Sequence, residues 1–169
     1  MLRLPIAWVL ASMALVSISA EAQNPIASPR DATHATLNGA KVLIDYGRPS
    51  KRGRVIFGGL QQFGEVWRTG ANAATTLVTD KPLKIGTLAV PAGTYTLFSI
   101  PGEARWQLIV SKKTGQWGTQ YDESHDLGRV DMEVATLPEV VEKFEIKIDG
   151  GKLRLAWDKT AASVSIAAN

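Results

Sequence analysis

The chain contains no cysteine. That excludes a disulfide framework, a thiolate metal centre and a cysteine nucleophile. Histidine is scarce: His34 and His125 are the only two, too few for a multi-histidine metal site. Strong charge of either sign is also missing, since 19 basic and 16 acidic residues leave a net charge of +3. A nucleic-acid-binding domain carries a far stronger basic balance, so no nucleic acid is expected as a partner. There is no Gly-x-x-x-x-Gly-Lys-Ser/Thr phosphate loop and no Gly-x-Gly-x-x-Gly turn opening a helix, and no cofactor is expected. What remains is globular in composition, 45% hydrophobic and 21% charged over 169 residues. That length predicts one domain with a core large enough to stand without staples.

The N-terminus reads as an address. Arg3 supplies a positive charge, residues 4–18 are almost wholly apolar, and Ala20-Glu21-Ala22 has small residues at the spacing signal peptidase reads. A signal peptide over residues 1–22 is predicted, cleaved after Ala22, with the protein periplasmic or secreted. The apolar run is shorter than the roughly 20 residues of a spanning helix. No cysteine follows it, which excludes a lipoprotein, and no transmembrane segment is expected after cleavage.

Residues 23–31 carry Pro25 and Pro29 and read as an extended lead-in to a single domain over 32–169. From there apolar and polar residues alternate at the strand period. Residues 33–37 end at Asn38-Gly39, a two-residue hairpin signal. Val42, Ile44 and Tyr46 share a face, and residues 75–79, 94–100 and 106–110 read as further strands. Alternation returns at 130–135, 144–149, 153–157 and 164–166, with Gly150-Gly151 as a turn. About nine or ten short strands make an all-β fold, an antiparallel, jelly-roll-like β-sandwich. Short helical turns are expected at 60–66 and 137–142.

Two segments depart from ordinary turns. In Asp45-Tyr46-Gly47-Arg48-Pro49-Ser50-Lys51-Arg52-Gly53-Arg54, cations crowd between glycines, where arginine forks suit carboxylates and phosphates. In Gly64-Glu65-Val66-Trp67-Arg68-Thr69-Gly70-Ala71-Asn72, an indole stands beside a guanidinium, and Thr75 and Thr76 follow. Pockets combine aromatic walls with a few placed polar groups. The candidate ligand-binding residues are Arg48, Arg54, Trp67, Arg68 and Asn72, with Trp117 as a stacking wall. The same residues also fit a solvated loop, a core tryptophan and an arginine tied to Asp45 or Glu65.

Both segments resemble the secreted bacterial family known as domain of unknown function 2911. So do the run from Pro91 to Pro101, Trp106, the Trp117-Gly118 pair with Tyr121, and Trp157. The resemblance covers almost all of the chain after residue 22. It implies export and no assigned activity, so no catalytic residue is carried over from it.

Other chemistries find less support. There is no Gly-x-Ser-x-Gly elbow, and Ser99 and Ser124-His125 are the nearest material for a serine hydrolase. Asp45 and Glu65 are the candidate catalytic carboxylates of a glycoside hydrolase, which needs two such groups flanking one bond. Asp122, Glu123, His125 and Asp126 match no calcium loop and read as a solvated turn, so no metal is expected. The leading expectation is a binding module for a small anionic or sugar-like ligand. The alternatives are a carboxylate-dependent glycoside hydrolase and a structural or partner-binding domain of the cell envelope.

Overall fold

The computed structural model describes residues 27–168; the expected signal peptide and its cleavage site lie outside them. The described chain is almost entirely antiparallel β. Its strands are β1 (Arg30–Leu37), β2 (Ala40–Gly47), β3 (Thr75–Thr79), β4 (Leu83–Ile85), β5 (Leu88–Val90), β6 (Gly93–Ile100), β7 (Arg105–Ser111), β8 (Asp126–Asp149) and β9 (Lys152–Ala168). They form one nine-stranded sheet in the order β1-β2-β3-β6-β7-β8-β9-β4-β5. No helix among the described residues is long and apolar enough to cross a membrane.

A sandwich-like shape arises because this one sheet bends back on itself. β8 and β9 are a long hairpin whose register shifts between Thr136 and Val141 and again between Val141 and Glu145. The first half of β8 pairs with β7, from Asp126 to Glu133. Its second half turns over the far end of the sheet. There the Ile146 N–H donates to the Tyr46 hydroxyl at 3.1 Å, and the Thr33 hydroxyl donates to the Ile146 carbonyl. β1 and β2 are remote from β8 in strand order, so these bonds require closure.

The alternation read from sequence becomes the core. Val42, Ile44, Leu77, Leu97, Leu108 and Val110 come from one layer and Phe144, Ile146, Leu153, Leu155 and Trp157 from the other, all buried. Burying such side chains contributes about 1.5–3 kcal/mol each before conformational entropy opposes it. β6 breaks the alternation, since Tyr95 through Ser99 are all buried. The cause is residues 112–125, which fold over its outer face: Phe98 pairs with Ile109 across the strands and meets the Tyr121 ring edge-on at 4.9 Å.

Two local expectations are corrected. Residues 60–66 form turns and bends rather than a helical turn, because Gly58 and Gly64 take φ of 81° and 80°, which a right-handed helix does not accept. Residues 137–142 lie within β8. Pro138 has no N–H for the ladder, and the chain bulges there instead of coiling. The helical turn that does occur is the short 3-10 turn Glu123–His125, capped by the Asp122 carboxylate.

Candidate functional site

The two unusual segments meet, and they meet through backbone. Residues 48–74 leave the end of β2 and return to the start of β3, crossing the outgoing chain at Gly47. A Cβ on Gly47 would lie 2.0 Å from the Ala71 carbonyl oxygen, and one on Gly70 would lie 2.9 Å from the Gly47 oxygen. Only glycine at 47 lets the two chains touch. The returning chain then joins β6: Trp67 N–H donates to the Ser99 carbonyl at 2.7 Å, and Ser99 N–H donates to the Trp67 carbonyl at 2.9 Å.

Thr69 follows in the left-handed region, with φ of 50°. A β-branched residue there is a strained outlier at a cost of about 1–3 kcal/mol. Buried hydroxyls hold it in place. Its Oγ1 lies 2.9 Å from Ser99 Oγ, and its carbonyl accepts the Thr75 hydroxyl at 2.7 Å. Trp67 and Arg68 leave this strained point in different environments. Trp67 is 3% exposed. Its ring stacks on Trp157 at 5.9 Å and meets Phe144 edge-on at 4.9 Å. Its indole N–H has no acceptor among the described residues.

Arg68 lies outward across Gly118, where an added Cβ would meet its Cδ at 2.6 Å. Gly118 N–H donates to the Asn72 carbonyl at 3.1 Å, and Ala73 bridges to Trp117. Arg68, Asn72 and Trp117 are thus brought together. Among the described residues no carboxylate pairs with the Arg68 guanidinium. It lines a pocket of about 200 Å³ together with Gln61, Val66, Phe98, Thr119 and Tyr121. Trp117 stands beside that pocket, 52% exposed.

The other candidates are engaged elsewhere. Arg48 donates through Nε to the Phe144 carbonyl at 3.0 Å and pairs with Asp31 at 3.2 Å. Arg54 folds back on its own loop, donating to the carbonyls of Lys51 at 2.9 Å and Ser50 at 2.7 Å. Asp45 is paired with Arg30, which also donates to the Ala73 carbonyl at 3.2 Å. Glu65 is exposed on the loop. Ser99 is sealed among the buried hydroxyls. Ser124 Oγ and the Asp122 carboxylate both approach His125 Nδ1, each at 3.2 Å. A relay needs serine and carboxylate on opposite ring nitrogens, so this trio is a local turn. No group of three or more metal-ligating side chains is assembled among the described residues.

Sequence reasoning missed the pocket's far wall. The Tyr121 hydroxyl donates to Asp126 Oδ2 at 2.7 Å and accepts from Arg129 Nη2 at 2.8 Å. Arg129 Nε reaches the same carboxylate at 3.1 Å. The phenol is pushed up to about 12 by burial first and then by the bond to Asp126 and its charge, with Arg129 opposing. Tyr121 therefore stays a neutral hydroxyl. Its folded pKa is raised, so the stability it contributes is complete below about pH 10 and is lost as pH rises through about 12. Asp126→Asn is expected to lower that pKa. The measurement is tyrosinate absorbance against pH, taken as the difference from Tyr121→Phe.

No curated protein and no solved structure matches the chain. A family model does match, over residues 28–166, and it spans the glycine crossing, the strained Thr69 and both walls of the pocket. The chain belongs to that family, described as protein of unknown function (DUF2911).

Proposed function

We propose that this protein is an exported binding module for a small anionic or polyol ligand, anchored by Arg68. The observation that carries the reading is a guanidinium with no carboxylate partner among the described residues, lining a pocket whose other walls are aromatic and hydroxyl-bearing. An arginine fork is suited to two parallel hydrogen bonds with a carboxylate or phosphate. Gln61, Thr119 and Tyr121 add polar groups for hydroxyls, Phe98 and Val66 give apolar walls, and Trp117 is the chain neighbour of Gly118 in the lining, while the Asn72 amide donates to the Ser28 carbonyl at 3.4 Å. The pocket, at about 200 Å³, is smaller than the roughly 300–1,000 Å³ of drug-sized sites, which favours a small acid or sugar acid. The sequence pattern of residues 1–22 supports export. No comparable observation favours the hydrolase reading, because Asp45 is already held by Arg30.

Thermal unfolding against organic acids, phosphates, sugars and polyols tests the reading. A ligand at a hundred times its Kd stabilises the fold by about 2.7 kcal/mol. One ligand class should raise the melting temperature, and Arg68→Ala should abolish the rise while leaving the unliganded melt in place. Arg68→Lys should weaken it, since charge without the planar fork loses the paired bonds. No shift with any compound, or a shift retained in Arg68→Ala, overturns the assignment.

A further inference from the structure

Among the described residues Arg68 is the one charged group in the lining of its pocket. The charged residues next in chain to that lining are both acids: Glu65 precedes Val66 and Asp122 follows Tyr121. A second guanidinium, Arg129, donates through Nη2 to the Tyr121 hydroxyl at 2.8 Å. Its charge is already claimed. The Arg129 Nε lies 3.1 Å from Asp126 Oδ2, and its Nη2 lies 2.9 Å from Glu123 Oε1. Two carboxylates on one cation leave the Tyr121 wall with a net negative charge.

Proton donors are as restricted as cations. Tyr121 has one hydroxyl proton, and Asp126 Oδ2 accepts it at 2.7 Å. The Asp126 side chain is 11% exposed, and its Oδ1 is buried with no donor among the described residues. That carboxylate is short of donors even with the Tyr121 proton in place. An anion in the pocket competes with it for that proton at a disadvantage, because a buried charged acceptor left unmet is costly. The side-chain donors that remain in the lining are the Arg68 guanidinium, the Gln61 amide and the Thr119 hydroxyl.

One carboxylate on Arg68, with ligand hydroxyls toward Gln61 and Thr119, makes use of all three. A second anionic group has no second cation to pair with. It also meets repulsion from Glu123 and Asp126, and like charges this close to a buried carboxylate are poorly screened. A volume of about 200 Å³ leaves little room to hold that group away from the Tyr121 wall.

We propose that the pocket selects a short hydroxy acid with a single carboxylate and rejects dianions, and that Glu123 and Asp126 set this selection by claiming Arg129 and the Tyr121 proton. The selection rests on the Arg68 reading and narrows it, from anions and polyols in general to hydroxy monocarboxylates. Glu123 and Asp126 act through Tyr121 and Arg129 rather than by touching the ligand, so they are specificity-setting residues.

Calorimetric titration at neutral pH and constant low ionic strength tests it, with glycerate, tartronate and phosphate as probes. Tartronate carries a second carboxylate where glycerate has its terminal CH2OH, so the two differ in charge at nearly equal size. Glycerate should bind, and Arg68→Ala should abolish its binding. Tartronate and phosphate should bind about ten-fold more weakly or worse. Glu123→Gln should narrow the ratio of glycerate to tartronate affinity by about three-fold or more, and less in high salt. The Glu123 side chain is 75% exposed, so this variant keeps the fold. Asp126→Asn should narrow the ratio too. Asp149→Asn, beside the β8–β9 turn in the lining of a different pocket, should leave it as in the parent. Tartronate or phosphate binding as tightly as glycerate, and lost in Arg68→Ala, overturns the selection while leaving the Arg68 reading in place. An unchanged ratio in Glu123→Gln overturns the role given to the two acids. No binding of any probe, or binding that survives Arg68→Ala, overturns the selection and the Arg68 reading together.

Discussion

Trp67→Ala lowers the stability of the fold by about 3–5 kcal/mol, while Arg68→Ala, one residue on, changes it by about 1 kcal/mol or less. The first figure is a large share of the about 5–15 kcal/mol that holds a domain folded. At this size it corresponds to a fall in Tm of about 10 °C or more. The contrast follows from where each side chain goes. Trp67 fills the space between Trp157, Trp106 and Phe144, and removing it leaves a cavity walled by rigid rings from both layers. Arg68 ends in a pocket open to solvent, and its loss removes only the packing of its stem across Gly118. Trp67→Phe is expected to cost much less than Trp67→Ala. It keeps a ring in the cluster and removes an indole N–H that has no acceptor among the described residues. Urea denaturation of the three variants measures all of this. Equal losses for Trp67→Ala and Arg68→Ala would mean that the whole segment is architecture and that Arg68 is not reserved for a ligand.

Strand identity was legible where a single face is buried. Val42, Ile44 and Tyr46, or Val130 and Met132, announce themselves by alternation because the residues between them are wholly or partly open to water. Two features hide from that signal. The β4–β5 hairpin has strands of three residues, too short to establish a period. The continuity of β8 is broken to the eye by Leu137-Pro138-Glu139-Val140, where a bulge resets the register, and on the paired β9 the core-facing set changes from Leu153, Leu155 and Trp157 to Ala162, Val164 and Ile166. That bulge is also what lets one sheet supply both layers.

The site was half legible. Glycines, cations and an indole mark both segments, but their composition does not separate an arginine that bonds carbonyls from one that lacks a partner. Arg48 finds its acceptor on β8, which depends on closure of the sheet, whereas Arg54 bonds carbonyls three and four residues back on its own loop. Arg68 is set apart by Thr69, whose strained φ appears in no local pattern. Tyr121 carries a weaker signal. The uninterrupted burial of residues 95–99 requires something to cover the outer face of β6, and the aromatic residue in the following loop is the natural cover.

Gly47→Ala is expected to disturb both fold and site, although residue 47 touches neither the core rings nor the pocket. The added Cβ would lie 2.0 Å from the Ala71 oxygen and 2.8 Å from its carbonyl carbon. These are backbone atoms, so no rotamer change relieves the clash, and the two chains must separate. Ala71 follows directly on the run from Trp67 to Gly70, so separation pulls on the Thr69–Ser99 contact and on the backbone that aims Arg68. Overpacking of this kind costs about 1–3 kcal/mol, occasionally more, and the upper end is expected because the obstacle is main chain. Gly53→Ala provides the comparison. Its φ is +70° with nothing within 4 Å of an added Cβ, so it carries the left-handed penalty alone, about 1–2 kcal/mol. Denaturant titration should place Gly47→Ala below Gly53→Ala in stability. With a ligand in hand, only Gly47→Ala should also weaken binding, since it alone moves the segment that carries Arg68. If Gly47→Ala is no less stable than Gly53→Ala and binds as the parent does, the crossing is not a tight constraint and the geometry of Arg68 must be set by the Thr69–Ser99–Thr75 hydroxyls alone.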